Sequence, residues 1–230
     1  MARLGKYHLG LLFTVLCLIL ASLALIVTSI TTDFWFKVSA DDYATPEVKR
    51  NFSYSVGMWR RCYNKEMPLG VKAEDRAGDC VYTYKDLTRR AEDNMSSGEY
   101  RYLSLERSWV ALMITAGGLQ LFTIITLILG LWPMESAKAV KRSTLYLIAA
   151  IMTLFATMAA MASGICFIGM QELNKTSRAL YPDSVSKKYD WSFILGWVAT
   201  GLCFIEGCMF LLLLKKDHED IRESGKYSTM

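Results

Sequence analysis

The 230 residues are 53% hydrophobic with a mean hydropathy of +0.23, while 21% are charged and the formal net charge is only +4. The chain is too apolar for an ordinary soluble domain, and its charges are segregated from its apolar stretches. Its basic residues lie at the borders of those stretches or among acids, which excludes a nucleic-acid surface.

Four stretches reach the roughly 20 apolar residues that a bilayer requires: 9–31, 109–132, 144–170 and 191–214. All four are expected as helices, because lipid offers backbone groups no partner. The fold class is therefore an all-α membrane protein, a four-transmembrane-helix bundle with a small extracellular antiparallel sheet built from the first loop. Residues 1–230 form one domain in this reading, with extracellular loops at 32–108 and 171–190 and a cytoplasmic tail at 215–230.

The first stretch follows Arg3 and Lys6. Its apolar run is about twice the length of a signal-peptide core and no small-x-small site follows, so it reads as a span. Next comes Thr32-Asp33-Phe34-Trp35-Phe36, in which Phe34 to Phe36 are expected as an interfacial anchor. From Asp41 to Arg50 the chain is polar, contains Pro46 and reads as irregular. Phe52 to Trp59 alternates bulky with small residues, the period of a half-buried strand ending at Cys62. Pro68, Gly70 and Gly78 interrupt the chain before Cys80-Val81-Tyr82-Thr83-Tyr84, a second strand candidate.

Six cysteines divide by position. Cys17, Cys166, Cys203 and Cys208 lie within spans and read as small apolar residues. Cys62 and Cys80 are in the outer loop, where two thiols in an oxidising compartment most simply pair. That bond would staple the two strands and contribute roughly 3 kcal/mol to local order. Two strands alone are marginal, so the sheet needs a further strand from the loop and support from the helices. Arg89 to Arg101 is strongly polar, with an exposed turn expected at Ser97-Gly98.

In the spans, Gly117-Gly118, Ala159-Ala160, Ser163, Gly164, Gly201 and Gly207 are small residues of the kind that let helices approach closely. Glu206 is the outstanding intramembrane polar residue and needs a partner. Its readings are a hydrogen bond to Gln120 within the bundle or a contact with a partner's transmembrane helix.

Arg3 and Lys6 before the first span, Lys138, Lys141 and Arg142 between the second and third, and Lys215, Lys216, Arg222 and Lys226 after the fourth place both termini in the cytoplasm. The three N-x-S/T acceptors, at Asn51, Asn94 and Asn174, all fall on the opposite side, as glycosylation requires. The tail ends Tyr227-Ser228-Thr229-Met230, a form that a PDZ domain could capture.

The only histidines, His8 and His218, stand at opposite ends of the sequence. No histidine-based catalytic or zinc constellation, Walker loop, dinucleotide fingerprint, nucleophile elbow or H-E-x-x-H is present. The chain is read as a non-enzyme without cofactor or metal.

Trp35, then Gly57-Met58-Trp59, then Cys62 and Cys80, between the first two of four spans, resemble the W…G-L-W…C…C signature of the peripheral myelin protein, claudin and calcium-channel gamma-subunit superfamily. Arg107 resembles an arginine that many claudins carry before the second span. Tyr189-Asp190-Trp191-Ser192-Phe193 looks like the Y-x-W-S-F of the gamma subunits. The resemblance implies a left-handed bundle capped by a small sheet and a non-catalytic role beside lipid, another integral membrane protein or further copies of itself. The wide spacing from Cys62 to Cys80, Met58 in place of leucine, and the first-loop acceptors are nearer the gamma-subunit-like members. The expected function is thus a regulatory partner of a membrane protein such as a voltage-gated calcium channel. The alternative is a claudin-like component of cell-cell junctions in the plasma membrane.

Overall fold

The computed structural model describes residues 6–64, 67–68, 76–83, 97–131, 139–176 and 182–227. Four long helices carry the apolar stretches: α1 (Lys6–Thr31), α3 (Ser97–Leu131), α4 (Ala139–Thr176) and α5 (Trp191–Tyr227). Between α1 and α3 lie β1 (Phe36–Ala40), the short helix α2 (Pro46–Asn51), β2 (Tyr54–Val56), β3 (Arg60–Tyr63), β4 (Arg76–Ala77) and β5 (Cys80–Tyr82). A sixth strand, β6 (Val185–Tyr189), lies between α4 and α5. Four helix segments, His8–Thr31, Tyr100–Leu129, Ser143–Asn174 and Trp191–Glu219, are long and apolar enough to cross a membrane.

Three local expectations need correction. The segment 41–50 is not irregular throughout: Thr45 accepts a hydrogen bond from the Val48 amide and Pro46 stands in the first turn, so α2 begins there. Ser97-Gly98 is no exposed turn but the start of α3, which runs twelve residues ahead of Trp109. The run 52–59 is not one strand, because Gly57 N–H bonds to the Arg60 carbonyl at 2.8 Å and folds the chain back between β2 and β3.

The sheet is antiparallel with strand order β4-β5-β3-β2-β1-β6. β1 pairs with β2 through Phe36↔Val56 and with β6 through Phe36↔Tyr189. The further strands thus come from both loops, not from the first alone.

Two compact units are distinguished within the chain, each drawing a segment from all four long helices. The first holds residues 1–25, 114–161 and 198–230; the second, which contains the sheet, holds 26–113 and 162–197. In the first, Leu12, Val15, Ile19, Leu127, Tyr146, Ala149, Ala150, Phe210 and Leu213 form a buried apolar core. Gly207 lets α5 approach α4 there, since a Cβ would lie 2.9 Å from Leu154 Cδ2. Gly118 and Gly201, expected at helix contacts, instead have open space around them. The second unit is built on aromatic rings.

Candidate functional site

The second unit centres on Trp35, which is 2% exposed and stands four residues past Thr31, the end of α1. Its indole N–H donates to the Ser29 carbonyl at 2.6 Å, one of the last α1 carbonyls that lack a partner within the helix. Trp35 is therefore no interfacial anchor. Its ring packs at 4.9 Å from Trp109 of α3, 5.2 Å from Phe167 of α4 and 5.9 Å from Phe193 of α5, at inclined angles. Inclined rings at these separations are favourable beyond their buried area. One side chain thus ties α1 to the other three long helices.

The start of α5 is seated by the same segment. Asp190 and Ser192 amides donate to the carbonyls of Trp35 and Phe34, and Ser29 Oγ donates to the Ser192 carbonyl at 2.9 Å. The Ser192 hydroxyl lies 2.7 Å from Thr32 Oγ1, whose own proton serves the Thr28 carbonyl. Tyr189 stacks on Phe193 at 4.4 Å and meets Phe36 edge-on at 5.4 Å. Partial burial, with the Glu172 carboxylate a smaller influence, pushes the Tyr189 phenol above its usual range. Trp191 and Phe34 stack at 5.5 Å and are both about two-fifths exposed. That pair has the amphipathic placement of an interfacial anchor.

Gly57 has a steric reason to be glycine. A Cβ there would stand 2.5 Å from Asp33 Cα and 2.8 Å from the Thr32 carbonyl oxygen, so the turn after β2 lies directly on the end of α1. Asp33 then receives Arg60 Nη2 at 2.7 Å, tying the segment after α1 to the start of β3. Met58 is buried, whereas Trp59 is 40% exposed. Cys62 and Cys80 are opposite each other on β3 and β5 and are joined by a disulfide. Among the described residues, the cluster Asp33, Cys62 and Cys80 has the proximity of a metal site, but its two sulfurs are occupied in that bond.

Arg61 shows what the sequence pattern concealed. It pairs with Val56 on the apolar face of the sheet, and its guanidinium lies 4.7 Å over the Tyr54 ring. Burial opposes its charge, but the oxygens of Tyr54, Tyr63 and Tyr102 hold it protonated above its ordinary range. Phe167, whose ring meets Trp35, Phe36, Trp109, Tyr189 and Phe193, lies in an apolar run and carries no sequence signal. Asp33 and Arg60 are likewise ordinary charged residues until the fold brings them together.

Arg107 is exposed on α3. Asn51 is half-buried at the end of α2, and Asn174 is buried on α4. In the other unit Gln120 and Glu206, both without exposure, are joined by a hydrogen bond of 2.6 Å. Asn94, Tyr84 and the terminal Ser228-Thr229-Met230 lie outside the described residues.

A family model described as PMP-22/EMP/MP20/Claudin tight junction matches residues 19–212. The chain belongs to this family. Comparison with the curated proteins finds no match. Within this claudin-family chain, Trp35, the Gly57-Met58-Trp59 turn and the disulfide form one connected structure, and the four apolar helices make it a multi-pass membrane protein.

Proposed function

We propose that the chain is a non-catalytic protein of the plasma membrane, with cytoplasmic termini and an extracellular sheet, acting as an auxiliary partner of a larger membrane protein. A voltage-gated calcium channel, or a related cell-surface complex, is the leading partner class. The observation that carries this reading is the acceptor Asn51-Phe52-Ser53, which joins α2 to β2 within the sheet unit. A glycan there is bulky and solubilising, and it would obstruct the close packing of copies that a junctional strand needs.

The lipid-facing surfaces of the helices supply the docking face, and the sheet meets the partner's outer domain. Glu206, enclosed by its own chain, serves the fold instead of the partner. Phe34 and Trp191 set the depth of the sheet unit in the headgroup layer.

A second reading, a junction component that associates with its own copies, is favoured by Arg107, exposed on α3 at the position where many claudins carry arginine. Expression of a tagged chain in two populations of non-adherent cells, with imaging of mixed contacts and mass spectrometry after mild-detergent capture, separates the two. Diffuse surface signal with a channel or receptor recovered supports the auxiliary role. Concentration at contacts with self-recovery overturns it in favour of the junctional one.

A further inference from the structure

Ser22 of α1, Gln120 of α3, and Cys203 and Glu206 of α5 meet inside the first unit with no solvent exposure at any of the four. Gln120 Nε2 lies 2.6 Å from Glu206 Oε2, 2.7 Å from Ser22 Oγ and 3.3 Å from Cys203 Sγ. An amide nitrogen has two protons, and the two oxygens are the nearer and better acceptors. The Ser22 hydroxyl is itself the donor to the Ile19 carbonyl at 3.0 Å. Two buried oxygens then have no hydrogen-bond partner: Gln120 Oε1 and Glu206 Oε1.

With Glu206 ionised, both of those atoms are acceptors and neither can help the other. The charge would also lack a counter-ion. None of the four apolar stretches contains a lysine or arginine, and the nearest on α5 is Lys215, about 13 Å away along the helix axis. A buried charge without a partner is among the costliest arrangements a bundle can hold. One proton on Glu206 Oε1 removes both difficulties, because that atom becomes a donor and Gln120 Oε1 is the acceptor it needs. The carboxylic acid and the amide then close a two-bond ring, of which Nε2–H to Oε2 is already in place.

We propose that this cluster is a proton-binding site, in which Glu206 is held as the neutral acid and paired with the Gln120 amide as a lock between α5 and α3. The proposal concerns the chain alone and does not depend on which partner it serves. The wild-type protein in lipid vesicles near neutral pH is compared with E206Q by infrared difference spectroscopy. A carboxylic-acid carbonyl stretch that belongs to wild type and is missing from E206Q is expected. Carboxylate stretches in its place overturn the proposal.

Surface expression gives an independent reading. E206Q presents two amides of nearly the same shape and is expected within about twofold of wild type, whereas E206A and Q120L fall several-fold. A loss in E206Q as large as that in E206A means that the negative charge is required, and sinks the idea. Should E206Q fail to fold, Q120L in vesicles still decides: removing the donor to Oε2 must shift the wild-type acid carbonyl to higher frequency, and an unchanged band refutes the pairing.

Discussion

The two units hold segments of the same four helices by different means. In the sheet unit the contacts are large and directional: Trp35, Trp109, Phe167 and Phe193 interlock at inclined angles, and an indole N–H closes the end of α1. In the other unit the helices meet through aliphatic side chains and small residues such as Ala149, Ala150 and Gly207, with a buried amide and carboxyl group across them. Lipid tails are as apolar as leucine, so apolar burial alone does not select one helix neighbour over another. Ring shape does most of the selecting in the aromatic unit, aided by the Ser29 and Thr32 hydrogen bonds to Ser192, and the Gln120–Glu206 hydrogen bond does it in the aliphatic one. The first strategy is vulnerable to loss of volume, the second to loss of a polar partner.

Truncating the largest ring is the strongest test of that contrast. Trp35→Ala removes the side chain shared by four helices and leaves a carbonyl unpaired, and it is expected to cost about 3–5 kcal/mol. In a detergent thermal-unfolding experiment the change should abolish the folded fraction or lower the midpoint further than Gly57→Ala, Gln120→Leu or Trp191→Ala. Trp35→Phe keeps most of the ring, so a loss equal to that of alanine would mean that the hydrogen bond and not the packing governs the unit.

Removing the disulfide with Cys62→Ser and Cys80→Ser together is expected to cost about 3 kcal/mol, since the bond closes a loop spanning 18 positions. Limited proteolysis should then cut the first loop while leaving the helices of the other unit intact. Simultaneous loss of both would show that the two units do not unfold separately.

Gly57→Ala places a methyl group against the Asp33 backbone and should destabilise by about 2–3 kcal/mol, the cost of overpacking a site that cannot yield. Retention of the variant before the cell surface, scored by glycosidase-sensitive mobility, is the readout; normal delivery would show that the turn moves freely. Gln120→Leu, acting on the other unit, strips Glu206 of a donor and should cost about 1–3 kcal/mol despite keeping the volume. A neutral outcome there would place the aliphatic packing, and not the polar pair, in control. The smallest effect belongs to Trp191→Ala at the stacked, half-exposed pair with Phe34, about 1 kcal/mol or less in detergent.

What could be read in advance follows the range of each physical rule. Four spans were legible because the length of apolar run needed to cross lipid is a local property, and the structure keeps all four while extending them at several ends. The cysteine pair was legible because only two of the six lie outside the spans. Thr45 and Pro46, in contrast, carried a helix-start signal that the polarity of the segment obscured. Trp35 was misplaced at the interface, since a tryptophan beside two phenylalanines at the end of a span has the same local pattern whether it faces headgroups or a core.

The amino-acid sequence by itself determined the membrane class, the number of spans, the disulfide pair and the family frame, because each rests on composition or spacing within a few dozen residues. Only the tertiary structure decided that β6 joins β1 across about 150 residues, that Trp35 seats itself among three other helices, that Arg60 finds Asp33, and that Gln120 meets Glu206. Those choices depend on which surfaces meet once the helices pack, and the pairing of distant residues leaves no periodic trace in the chain that encodes it.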